Sequence, residues 1–102
     1  MSAGTFSRFA DFYPFYLSQH ANRACRRLHF AGTTLGLAAA LHSLSTLNFW
    51  WLLAGVVAAY ALAWVGHFFF EKNRPATFTH PLYSFMGDWM MWKDMITGRI
   101  RP

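Results

Sequence analysis

Charge is scarce in this chain. Only 13% of its 102 residues are Asp, Glu, Lys or Arg, while 55% are apolar and 20% aromatic, so a water-soluble domain would have little polar material with which to cover itself. A membrane setting fits better. Cysteine is nearly absent: Cys25 alone excludes an internal disulfide and any cysteine cluster for zinc or iron–sulfur. Beside Arg23, Arg26 and Arg27 it reads as an ordinary helix-face residue. Acids number four against nine Lys and Arg, a net charge of +5 that would suit nucleic acid or an anionic lipid surface. The apolar runs between the basic residues favour lipid and argue against nucleic acid. There is no repeat, low-complexity segment or linker, and a single domain over residues 1–102 is expected. The opening "MSAGTFSRFADFYPFY" lacks the short apolar core and small-residue site of a cleaved signal peptide, so the spanning segments themselves are expected to direct the chain to its membrane.

What is abundant is apolar sequence in runs of membrane length. "LHFAGTTLGLAAALHSLSTL" (28–47) and "FWWLLAGVVAAYALAWVGHFFF" (49–70) each match the roughly 20 residues a helix needs to cross the hydrocarbon. The first is the more polar, with Thr33, Thr34, His42, Ser43, Ser45 and Thr46. The expected fold is all-α: an integral membrane hairpin of two transmembrane helices. Gly32 and Gly36 in one span, and Gly55, Ala59 and Ala63 in the other, recur every four residues, where missing side chains let backbones approach. The connecting "HSLSTLN" carries no formal charge, whereas the basic residues flank the pair, so the positive-inside rule puts both termini in the cytoplasm of a bacterial inner membrane or an endoplasmic-reticulum-type membrane. All four acids, Asp11, Glu71, Asp88 and Asp94, fall on that side.

The flanks suggest amphipathic helices lying in the interface. "FADFYPFYLSQ" spaces Phe9, Phe12, Tyr13 and Tyr16 helically around Pro14, and "HPLYSFMGDWMMWKDM" does so with Leu82, Phe85, Trp89 and Trp92. Pro81 suits a first helical turn, with Thr79 as its cap. Trp50, Trp51, Trp89 and Trp92 read as boundary anchors.

Four of the five histidines gather near the inner edge: His20 and His29 bracket the start of the first span, His67 closes the second, and His80 opens the last helix. His42 sits at the outer turn and is given no role. On continuous helix His67 and Glu71 would project from one face as a two-ligand clamp. The plainer alternative is Glu71 paired with Lys72, Arg74 or another arginine. His20 and His29 are nine residues apart, half a revolution on an unbroken helix, so sharing an ion requires a break. Asn22 offers one as an N-cap that starts the helix at Arg23 and frees His20 to fold back. A site of His20, His29, His67 and His80 would be nitrogen-rich, suited to iron, zinc, copper or nickel and not to calcium or magnesium.

"HANRACRRLH" together with "GHFFFEKNRPA" resembles a small membrane-protein family whose fungal member is an iron(II)-dependent dioxygenase of fatty acid α-oxidation. Across Phe12 to about Trp92, His20, Asn22 and His29 match the first patch, and Gly66, His67, Glu71, Arg74 and Pro75 the second. The resemblance implies Fe(2+) on His20, His29 and His67, with His80 added on physical grounds only. It implies a 2-hydroxy fatty acid and O2 as substrates, and a fatty acid one carbon shorter, CO2 and water as products. Arg74 or Arg23 would neutralise the substrate carboxylate. Glu71 would orient His67, ligate the metal, or act as base for the 2-hydroxyl. This chain is shorter than the fungal protein, lacking a central insertion. The competing readings are a non-enzymatic helical hairpin that binds anionic membrane lipid or assembles as a homo-oligomer, and, more weakly, a zinc hydrolase acting on lipid.

Overall fold

A computed structural model describes residues 6–101, which form four α-helices and no strand. They are α1 (Phe9–Ser18), α2 (Arg23–Thr46), α3 (Trp50–Val65) and α4 (Pro81–Ile96). A π-helical turn (Gly66–Glu71) prolongs α3, and a 3-10 turn (Ala76–Phe78) leads into α4.

Helix α2 starts where its sequence says it should. The Asn22 side chain accepts hydrogen bonds from the backbone N–H groups of Ala24 and Cys25 at 2.8 and 3.2 Å, satisfying two donors that an α-helix leaves open. The helix ends at Leu47, whose left-handed φ of 57° turns the chain. Ser43 Oγ then donates to the carbonyl of Asn48, and Asn48 Oδ1 accepts from the N–H of Trp50. This closes an antiparallel α2–α3 hairpin.

Small residues hold the hairpin tight. A Cβ on Gly32 would lie 2.8 Å from the backbone oxygen of Ala59, and one on Gly55 would lie 2.5 Å from the Cβ of Ala39. These distances leave no room for a side chain, as the four-residue spacing implied. The outward faces are apolar and bare: Leu41, Leu44, Trp50 and Val57 are among many large exposed hydrophobics. Among the described residues one helix is long and apolar enough to cross a membrane, α3 with its π-helical continuation, Trp50–Glu71. Helix α2 has the length and a more polar composition.

The flanking helices depart from a purely interfacial role. Phe12 and Tyr16 are fully buried, and with Phe15 of α1 and Met91 and Met95 of α4 they form the main core of the molecule. The aromatic spacing of α1 is thus its packing face against α4, whereas in the expected stripe of α4 Leu82 and Phe85 stay exposed and the helix buries Gly87, Met91 and Met95 instead. Two hydroxyl–carboxylate bonds fasten the pair: Tyr13 to Asp94 at 2.7 Å, and a short one from Tyr16 to Asp88. Trp92 is more than an anchor, since its indole N–H donates to Thr34 Oγ1 at 3.0 Å. Pro81 opens α4 as expected, but the N-cap position is His80 and no side chain caps it; Thr79 bonds the His80 ring instead.

Candidate metal centre

Three elements deliver one imidazole each to a single point. His20 lies in the turn between α1 and α2, where the Arg26 guanidinium grips the carbonyls of His20 and Ala21 at 3.2 and 2.8 Å. His29 stands on α2 two turns beyond its cap. His67 comes from the π-helical turn, which sits against α2 because Gly66 has no side chain: a Cβ there would approach Cys25 Sγ to 3.0 Å. The three rings are 1%, 5% and 1% exposed. Their centroids are 4.4–4.9 Å apart and each pair is nearly perpendicular.

The outer nitrogen of every ring faces an oxygen. His20 Nδ1 is 2.6 Å from the Tyr16 carbonyl, His29 Nδ1 is 3.2 Å from the Cys25 carbonyl, and His67 Nδ1 is 2.7 Å from Asn73 Oδ1. Carbonyl oxygens only accept, which assigns the proton to Nδ1 in each ring and leaves the lone pair on Nε2. Those lone pairs converge: His20 Nε2 and His29 Nε2 are 3.1 Å apart, and the ligand atoms of all three rings lie within 4.8 Å of one another. Two acceptors at that separation repel unless something positive lies between them. Nitrogen ligands about 2.1 Å from one ion sit roughly 3.0–3.4 Å apart at octahedral or tetrahedral angles, so the His20–His29 pair has ligand spacing and His67 stands within 4.8 Å of it. Burial, and then the neighbouring His29 and His67, hold His20 well below the ordinary imidazole range, which keeps it neutral as a ligand must be.

The other expected residues take different places. The π-helical turn widens the helix, and the group of residues placed to hold a metal contains His67 without Glu71. Glu71 instead accepts a short hydrogen bond from the backbone N–H of Asn22, tying the start of α2 to the end of α3. The residue that orients His67 is Asn73, which also donates to the Gln19 carbonyl. His80 is outside the group, its ring 5.3–6.3 Å from those of Phe6, Phe12 and Phe15. Arg74 is exposed on the loop after the π turn.

Asp88, to which the sequence assigns no role, lies beside the histidine cluster. Its Oδ1 is 4.0 Å from His29 Nε2 and its side chain is 19% exposed. A Cβ on the preceding Gly87 would meet the Tyr16 ring at 2.8 Å, so the missing side chain is what lets Asp88 reach Tyr16. Burial pushes the Asp88 carboxyl up to about 7, against the Tyr16 hydroxyl bond that lowers it. The only signal was an acid directly after a glycine in a mostly apolar stretch of α4. From His29 and Asp88 an apolar cavity of about 170 Å³ runs between α2, α3 and α4.

A family model described as 2-hydroxy-palmitic acid dioxygenase Mpo1-like matches residues 6–100 of the chain. No curated protein and no solved structure matches it.

Proposed function

This chain belongs to the Mpo1-like family, and we propose on that premise that it is an iron(II)-dependent dioxygenase removing one carbon from 2-hydroxy fatty acids at the inner face of a membrane. The observation that carries the reading is the convergence of three buried Nε2 donors, each with its Nδ1 held by an oxygen. A lipid-binding hairpin without chemistry has no use for such a group. Iron(II) held there supplies the electron transfer by which a 2-hydroxy acid and O2 become a fatty acid one carbon shorter, CO2 and water, a four-electron oxidation that O2 balances without another reductant.

The chain's own part is holding and orienting. Tyr16, Cys25 and Asn73 fix the tautomers of the three imidazoles, and burial keeps bulk water from them. Asp88 Oδ1, beside His29, offers the acceptor for the substrate's 2-hydroxyl proton. Arg74 and the exposed Arg23, both at this end of the hairpin, draw the carboxylate toward the cluster. Glu71 acts through the backbone of Asn22 and not on the substrate.

Helices α2 and α3 cross the bilayer together, the uncharged turn outward and both termini in the cytoplasm. Supporting this are the bare apolar faces, the basic residues at the opposite end from the turn, and a long axis of 44 Å, against about 40–45 Å for a bilayer with its headgroups. The test is turnover: purified full chain with iron(II), 2-hydroxypalmitate and oxygen yields pentadecanoate and CO2. Absence of product from folded, iron-loaded protein removes the reading.

A further inference from the structure

The cavity beside the histidines has a direction, and the direction matches an amphiphile. On α2 its lining residues are His29, Thr33, Gly36 and Ala40; on α3 they are Ala63, Tyr60, Ala59, Val56 and Leu52. Both sets are single helical stripes, and because the hairpin is antiparallel they run side by side from the metal centre toward the outer turn. Polar groups stand toward one end, His29, Thr33, Tyr60 and Asp88, while Ala40 and Leu52 line the other. Phe85 and Trp89 of α4 wall the polar end.

We propose that this track seats the hydrocarbon tail of the 2-hydroxy acid, and that Ala40 at its far end and Trp89 at its near end set which tails fit. The proposal rests on the dioxygenase reading for the identity of the head group. From His29 to Ala40 the track spans 11 residues, about 16 Å at 1.5 Å per residue. A carbon–carbon bond of about 1.5 Å at a tetrahedral angle advances roughly 1.25 Å, so the track matches about 13 methylenes. The cavity of about 170 Å³ is close to the roughly 150 Å³ that holds a benzene molecule. About six carbons are therefore enclosed, and the rest of a long tail lies along the lipid-facing side, where Leu52 and Val56 are 44% and 45% exposed.

Binding of brominated 2-hydroxy acids to the full chain in lipid nanodiscs tests this without turnover. Bromine near the head group is expected to quench tryptophan fluorescence in a component that unbrominated 2-hydroxypalmitate displaces, and Trp89→Phe is expected to remove most of that component. Unchanged displaceable quenching in Trp89→Phe would overturn the placement. In the second arm, Ala40→Phe, at a half-buried position, is expected to weaken binding of a 16-carbon acid about tenfold and leave an 8-carbon acid unaffected. Equal effects on both lengths would overturn the gauge. Displaceable quenching that follows these patterns without any product formation would sink the dioxygenase reading alone.

Discussion

His67 Nδ1 and Asn73 Oδ1 are 2.7 Å apart, a contact made possible by a π-helical turn that lets the chain double back within six residues. Asn73 is itself held by the Gln19 carbonyl, so one amide links the loop before α2 to the end of α3. Replacing it with alanine is expected to lower metal affinity about 10- to 100-fold while the helices stay folded, and Asn73→Asp is expected to retain most of the affinity. Chelator competition on the purified protein reads both. Equal affinity in Asn73→Ala would remove its orienting role.

Glu71 is expected to matter for stability and not for metal. Its carboxylate caps the backbone N–H of Asn22, and losing a charged acceptor there costs about 1–3 kcal/mol. Thermal unfolding of Glu71→Ala should fall accordingly, with Glu71→Gln intermediate, and both should keep the wild-type metal content. A folded Glu71→Gln that binds no metal would reinstate the carboxylate as a ligand.

Two glycines on one stripe of α2 are expected to behave oppositely. Gly32→Ala puts a methyl 2.8 Å from the backbone of Ala59, whereas the same change at Gly36 meets Ala59 Cβ at 3.7 Å, an ordinary contact. The first must push the helices apart and destabilise by about 1–3 kcal/mol. The second should be neutral or slightly stabilising, as alanine favours helix. Unfolding midpoints in detergent measure the difference, and equal effects would contradict the packing described.

His80→Phe is expected to preserve metal content, because the ring sits among Phe6, Phe12 and Phe15 at a distance from the cluster. Metal loss in that variant, with the fold intact by circular dichroism, would show that the site extends beyond three histidines.

Local chemistry was legible in the sequence wherever it was local. Asn22 announced the start of α2, and that break brings His20 back to His29. Four-residue spacing of small residues announced the close hairpin. What stayed hidden depends on contacts far along the chain: Asp88 joins the site through Tyr16, 72 positions away, and α1 buries Phe12 against α4 instead of laying it on lipid. The π-helical turn was hidden for another reason. A helix takes in an extra residue through tertiary gains that periodicity does not record, so the four-residue spacing of His67 and Glu71 hid that Glu71 bonds the Asn22 N–H while His67 bonds Asn73.

Everything functional depends on whether those three imidazoles hold an ion. The most direct measurement is elemental analysis of the protein purified with iron(II) under anaerobic conditions, for the native chain and for His20→Ala, His29→Ala and His67→Ala. One iron per chain, lost in each variant while helicity persists, is the expected result. Native protein that is folded and carries no stoichiometric metal would contradict it.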